Sequence, residues 1–143
     1  MQLNVSVPNL DQCDDLFKAF RNLYKERQVF AFRGELGSGK TTLIKKLCRD
    51  LGVTSEMSSP SFAIVNEYDS ERVGSIFHFD LYRLKSEREL IDIGWHDYLS
   101  QEKITFIEWP EMAGTQLPED AVDVAIEVLD PSQHRILTIT YQA

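Results

Sequence analysis

Hydrophobic and polar positions change period several times along the chain, and each change marks an element. Leu3, Val5 and Val7 alternate with Asn4 and Ser6, the period-two pattern of a half-buried strand, which suits a sheet edge. After Pro8-Asn9, the residues Leu10, Cys13, Leu16, Phe17, Phe20 and Leu23 recur at helical spacing. The expectation is a helix with Asn9 as N-cap and Gln12 three residues on in a capping box. Val29-Phe30-Ala31-Phe32 is a short continuous apolar run of strand type. Leu43, Ile44, Leu47, Cys48 and Leu51 then return to helical spacing until Gly52 stops them.

The second half has shorter periods. Residues 63–68 read as a strand, 69–74 as a hairpin connection and Ser75–Asp80 as its partner strand. Ser86 and Glu89 form a capping box that opens a short helix ended by Gly94, and Trp95 to Leu99 read as one more helical turn. Ile104-Thr105-Phe106-Ile107-Glu108 is another apolar strand, which Trp109-Pro110 stops. Val122, Val124, Ile126 and Val128 alternate with Asp123, Ala125 and Glu127; a turn over 130–133 then leads to Leu137, Ile139 and Tyr141, a closing hairpin. Strands therefore lie on both sides of the second helix, with hairpins interrupting the strand–helix–strand rhythm. This order predicts an α/β fold in three layers: a mixed central sheet, helices on both faces and a C-terminal β-hairpin. Ligands of such sheets bind at the carboxyl ends of the strands.

Composition narrows the class without naming it. A chain of 143 residues, 43% hydrophobic and 27% charged, has the length and balance of a single globular domain spanning 1–143. Apolar runs of four or five residues are far too short to span a membrane, and the N-terminal residues lack the basic and apolar regions of a secretion signal. Cys13 and Cys48 both fall on apolar helical faces and read as reduced core residues of a cytoplasmic protein. The net charge of −8 argues against a free-standing nucleic-acid binder, which needs a basic surface. Lys45, Lys46 and Arg49 read as the solvated face of the second helix, where positive charge suits the helix dipole.

Between the second strand and the second helix lies Gly34-Glu35-Leu36-Gly37-Ser38-Gly39-Lys40-Thr41, which satisfies the G-x-x-x-x-G-K-[ST] phosphate-binding pattern in its required context of strand before and helix after. The glycines let several N–H groups turn toward one phosphate chain, and the helix N-terminus adds partial positive charge. The loop residues Leu36, Gly37, Ser38, Gly39, Lys40, Thr41 and Thr42 are thus candidates to cradle a nucleotide. Lys40 would reach the β- and γ-phosphates, and the Thr41 hydroxyl would take a place on Mg²⁺. Two carboxylates end apolar strands, Asp80 after Ile76–Phe79 and Glu108 after Ile104–Ile107. An acid at that position is the usual second metal element of phosphate-loop enzymes. One of the two would anchor Mg²⁺, and the other would orient or activate the attacking water. His78, between Phe77 and Phe79, reads as structural, and Arg83 reads as an ion-pair partner.

Four segments in this order and spacing resemble the TsaE family of small bacterial P-loop ATPases: residues 34–42, Ser59-Pro60-Ser61-Phe62, His78-Phe79-Asp80-Leu81-Tyr82-Arg83-Leu84 and Ile107-Glu108-Trp109-Pro110-Glu111. The resemblance implies a P-loop fold, ATP and Mg²⁺ as ligands, and a part in making threonylcarbamoyladenosine in tRNA. The implied partner is the TsaB–TsaD pair, which ATP hydrolysis would reset between turnovers, with hydrolysis slow in the isolated subunit and no direct contact with tRNA. Residue by residue, it implies Lys40 as the phosphate lysine, Thr41 and Glu108 as Mg²⁺ ligands, and Asp80 as the acid that positions or deprotonates water. It also makes Ser59–Phe62 a switch-like loop, with Ser61 where the family carries threonine. Leu10, Asp11 and Ser132 become adenine candidates, and Trp109 would lie against the nucleotide or a partner, or else cap a core strand with its indole.

Three alternatives stand beside this reading. A small-molecule kinase would share loop, fold and size but needs an arginine-rich lid, and no arginine occurs between Arg88 and Arg135. A GTPase needs a guanine-reading Asn-Lys-x-Asp, and its nearest counterpart, Asn66-Glu67-Tyr68-Asp69, lacks the lysine. A nucleotide-gated interaction module would bind without appreciable turnover.

Overall fold

The computed structural model describes residues 1–57, 64–129 and 133–142. Among these residues, seven strands join in one sheet: β1 (Gln2–Val7), β2 (Val29–Arg33), β3 (Val65–Ser70), β4 (Gly74–Asp80), β5 (Thr105–Glu108), β6 (Val122–Leu129) and β7 (His134–Thr140). Their order is β1-β7-β6-β2-β5-β4-β3. The four central strands are parallel, β6 to β2, β2 to β5 and β5 to β4. β3 pairs antiparallel with β4 at one edge, and β7 then β1 add antiparallel at the other. The sheet is mixed, as expected, and β1 is an edge strand.

Burial explains why the centre reads as solid apolar runs. Phe30, Ala31 and Phe32 of β2 and all of β5 are buried, because both faces of parallel strands are covered. β6 and β7 keep the alternation of strands with one wetter face. Helices α1 (Asp14–Leu23) and α2 (Lys40–Asp50) supply Leu16, Phe20, Leu43, Ile44 and Leu47 to a core with Phe30, Phe32, Ile76 and Phe106. Helices α3 (Glu87–Asp92) and α4 (Trp95–Ser100), with a 3₁₀ segment at Pro110–Gln116, supply Leu90, Trp95 and Ala113 to a second core with Phe77, Phe79 and Ile107. Consecutive strand residues point to opposite faces. Since Ile76 and Phe77, or Phe106 and Ile107, fall in different cores, the helices cover both faces.

Two elements have bounds that differ from the sequence reading, and a third element was not part of it. α1 starts at Asp14 with Cys13 at its cap rather than with Asn9. Asn9 Oδ1 accepts the Asp11 N–H (2.9 Å), and the Asn9 amide donates to Gln12 Oε1 (2.8 Å). The pair closes a local turn, which competes with helix for the same polar side chains. β3 begins at Val65 and runs through Ser70. Ser70 is buried, donates to the Leu51 carbonyl (2.6 Å) and accepts the N–H groups of Arg72 and Val73, so it ends the strand and caps the tighter turn. Beyond Trp109, the 3₁₀ segment is broken by Gly114 at φ 55°, ψ −123°. A Cβ there would lie 2.6 Å from Glu87 Oε1, the atom that accepts both the N–H and the hydroxyl of Thr115.

Both cysteines are buried and free, and burial pushes the Cys48 thiol up to about 12, which leaves it unreactive at neutral pH. Arg49 is more than a solvated cation: its Nη1 donates to the carbonyls of Val53 (2.9 Å) and Ser55 (2.7 Å), holding the segment after α2. Lys46 lies 3.8 Å from Asp11. No helix among the described residues is long and apolar enough to cross a membrane.

Candidate functional site

The parallel centre brings the carboxyl ends of β2, β4 and β5 side by side. β2 leads into the glycine loop, and in register Asp80 on β4 pairs with Glu108 on β5, which pairs with Phe32 on β2. Residues some thirty and seventy positions apart in the chain therefore meet at one end of the sheet. A cleft of about 350 Å³ opens there, lined by Leu10, Leu36, Gly37, Gly39, Lys40, Thr41, Thr42, Asp80, Tyr82, Glu108, Trp109 and Arg135.

The loop takes the shape its glycines permit. Gly37 and Gly39 have φ of 82° and 98°, and Gly39 caps α2 in the left-handed conformation. The N-cap is a glycine and brings no side chain of its own to the first-turn N–H groups, the kind of helix end that suits an anion. Lys40 opens α2, and its Nζ donates to the carbonyls of Gly34 (2.6 Å) and Glu35 (3.1 Å). The ammonium also lies 4.0 Å from the centroid of the Trp109 indole, a cation–π contact. Burial pushes the Lys40 ammonium below its ordinary value, while the charges of Glu108, Glu111 and Asp80 act the other way.

Next to it, the Thr41 hydroxyl lies 2.7 and 2.9 Å from the two carboxylate oxygens of Glu108. Glu108 is buried, and its Oε2 lies 2.6 Å from His78 Nε2. Asp80 is half-buried and accepts the Tyr82 N–H through Oδ1 (3.1 Å). Burial pushes its carboxyl above the usual range and Glu108 adds to this, while the Tyr82 N–H, His78 and Lys40 pull it back. The pair of acids thus differs in environment, one buried among donors and one at the wetter rim.

These residues fit a nucleotide with Mg²⁺. The glycine-capped helix end, the glycine turns and the Lys40 ammonium suit a phosphate chain. A hydroxyl and a carboxylate in contact suit a small hard cation that takes few protein ligands. Among the described residues no cluster of three or more His, Cys, Asp or Glu side chains is arranged to hold a metal, so Mg²⁺ here would complete its shell with phosphate oxygens and water.

Of the loop candidates, Leu36, Gly37, Gly39, Lys40, Thr41 and Thr42 line the cleft, as does Leu10. Ser38 does not. Its side chain is buried, Oγ has no hydrogen-bond partner among the described residues, and a second hollow beside β6 is lined by it with Glu35, Glu127 and Gln133. Ser132 and Ser59-Pro60-Ser61-Phe62 lie outside the described residues.

Sequence reasoning missed two parts of the site. Arg135 is buried and reaches from β7 to the loop, donating from Nε to the Ser38 carbonyl (2.7 Å) and from Nη1 to the Gln133 carbonyl (2.9 Å). The signal was parity: Arg135 shares the inward side of β7 with Leu137 and Ile139, a costly place for a charge without a task. Tyr82 is the other, packed against Trp109 with ring centroids 5.0 Å apart and the rings tilted by 44°. Trp109 itself sits at φ 58°, ψ 51°, which turns its indole back over Lys40.

Sheet order, glycine loop and strand-end acids together define a P-loop nucleotide-binding protein of the α/β class. The family model described as threonylcarbamoyl adenosine biosynthesis protein TsaE matches residues 7–136. Among curated proteins, the chain is 31% identical over 126 residues to the tRNA threonylcarbamoyladenosine biosynthesis protein TsaE of Bacillus subtilis, covering 88% of this chain and 78% of that one. It is 33% identical over 132 residues to the protein of the same name from Aquifex aeolicus, covering 89% and 90%. The crystal structure of Bacillus subtilis YdiB superimposes with a TM-score of 0.75 at 26% identity over 100% of this chain and 87% of that one. The chain belongs to the TsaE family.

Proposed function

We propose that this protein is the Mg²⁺-dependent ATPase subunit of threonylcarbamoyladenosine synthesis on tRNA, acting on the TsaB–TsaD pair to permit repeated turnover. The observation that carries the chemistry is the in-register pairing of Asp80 and Glu108 opposite Lys40 and Thr41 in one cleft. Main-chain N–H groups of the loop and the Lys40 ammonium bind the phosphate chain. Thr41 and Glu108 would hold Mg²⁺, which would supply positive charge against the phosphates. Asp80 orients a water toward the γ-phosphorus and accepts its proton as the Pγ–O bond to ADP breaks, giving ADP and inorganic phosphate. The raised position of the Asp80 carboxyl, caused first by burial, favours that role over a fully solvated acid. Trp109, fixed over Lys40, keeps water off the ammonium and walls the phosphate end of the cleft.

The pathway and the partners rest on family membership. Phosphate release from MgATP, measured alone and with TsaB–TsaD added, tests them. The expected result is slow release that the pair accelerates. Release that never rises with the pair, with no complex formed, would contradict the proposed role. Phosphorylation of an added small acceptor in stoichiometric yield would instead favour a kinase.

A further inference from the structure

A chain of hydrogen bonds leads away from the cleft into the sheet, from Thr41 through Glu108 and His78 to Tyr68. His78 is fully buried on β4, flanked by β3 and β5. Its Nε2 lies 2.6 Å from Glu108 Oε2, and its Nδ1 lies 3.0 Å from the hydroxyl of Tyr68, itself buried on β3. Glu108 in turn meets the Thr41 hydroxyl. With Glu108 taken as the carboxylate and His78 as the neutral ring, the donors and acceptors fall one way around. An ionised carboxylate only accepts, so Thr41 and His78 Nε2–H both donate to Glu108. A neutral imidazole protonated on Nε2 has Nδ1 free to accept, and the Tyr68 O–H donates to it. Every polar atom in the line is then satisfied without an extra charge in the core, which a buried network requires.

We propose that His78, oriented by Tyr68, is a positioning residue for Glu108: it fixes the carboxylate so that Glu108 and the Thr41 hydroxyl present their oxygens to Mg²⁺ together. The inference rests on the reading of Thr41 and Glu108 as the metal-binding pair. A carboxylate in a strand-end position has free rotation about its own side-chain bonds, and one donor from the floor of the sheet removes most of it. The edge strand β3 takes part through the Tyr68 hydroxyl, which meets His78 Nδ1. Hydrogen-bond partners behind metal ligands of this kind typically change metal affinity or activity by about 10–100-fold when removed.

The test is calorimetric titration of the full chain with the slowly hydrolysed analogue adenylyl imidodiphosphate, once in EDTA and once in Mg²⁺, for the wild type, E108Q, H78L, H78Q and Y68F. H78L should lose roughly 10–100-fold of the affinity gained from Mg²⁺ and keep its affinity in EDTA. H78Q, whose amide N–H can donate to Glu108, should recover most of that loss, and Y68F should fall between the wild type and H78L. Full Mg²⁺ gain in both H78L and Y68F overturns the proposal. Full gain in E108Q overturns the metal reading of Glu108 itself, whatever His78 does, so the two failures are distinguishable. Should H78L not fold, the imidazole nitrogen spectrum of the wild type decides. A neutral ring protonated on Nε2, with that resonance moving when Mg²⁺ and analogue are added, supports the positioning role; a ring protonated on Nδ1, or an Nε2 resonance that stays still, contradicts it.

Discussion

Lys40, Asp80 and Glu108 have separate tasks, and their variants should fail in separate ways. Lys40→Ala removes the ammonium that faces the cleft and should abolish tight ATP binding in an equilibrium titration. Asp80→Ala and Glu108→Ala leave the loop intact and should still bind nucleotide while hydrolysis falls by about two orders of magnitude or more; turnover retained in both would contradict the assignment. Asp80 also carries a stability signature. Its carboxyl is raised in the folded state by burial, so folding favours the protonated form, and the cost of keeping it charged grows as pH rises from the unfolded carboxylate value through the folded one. Asp80→Asn keeps an acceptor for the Tyr82 N–H and should melt higher than the wild type at neutral pH, with the gap closing as pH falls through that window. A gap that widens toward acid would reverse the sign and refute it. The acids and the lysine were legible in the sequence because strand ends and glycine loops are local features. His78 and Arg135 were not, because the worth of a buried polar side chain depends on which strand lies beside it, and neighbours in the sheet are distant in the chain.

At the scale of elements, the C-terminal hairpin matters to the site chiefly through Arg135. Its Nε–Ser38 carbonyl bond ties β7 to the glycine loop, and a Cβ on Gly39 would sit 3.1 Å from that same nitrogen. Arg135→Ala leaves a buried carbonyl without its donor, at a cost of about 1–3 kcal/mol. Urea unfolding should report that loss, and nucleotide affinity should fall with it as the loop loosens; unchanged values in both assays would show that the hairpin does not brace the loop. The strands were readable because β2 and β5 are short unbroken apolar runs and β6–β7 alternate, as coverage on two faces and on one face demands. The start of α1 was not, since Asn9 and Gln12 fit a helix cap and a closed turn equally well by residue type. Ser70 misled for a related reason: a small polar residue beside Glu71 resembles a turn until its Leu51 partner is known.

For the whole molecule, the seven-strand order could not be read from the chain, although the class of sheet could. Which strand lies beside β2 is decided by packing of the two helical layers, and β5 enters between β2 and β4 from far along the sequence. The net charge of −8 sets the long-range field against an anionic nucleotide, while capture depends on groups within the cleft. Salt screens the first over about 10 Å at 0.1 M and touches buried contacts much less. Association of MgATP in stopped flow should therefore speed up between low and moderate ionic strength; a steady slowing would mean that the cleft attracts nucleotide over a longer range than this charge distribution allows. The most direct test of the account is a crystal structure of the chain with Mg²⁺ and a slowly hydrolysed ATP analogue. The account predicts the terminal phosphate at Lys40, the metal on the oxygens of Thr41 and Glu108, and Asp80 within hydrogen-bond reach of a water in line with the terminal phosphorus. Nucleotide bound in another cleft, or both acids turned away from the terminal phosphate, would contradict it.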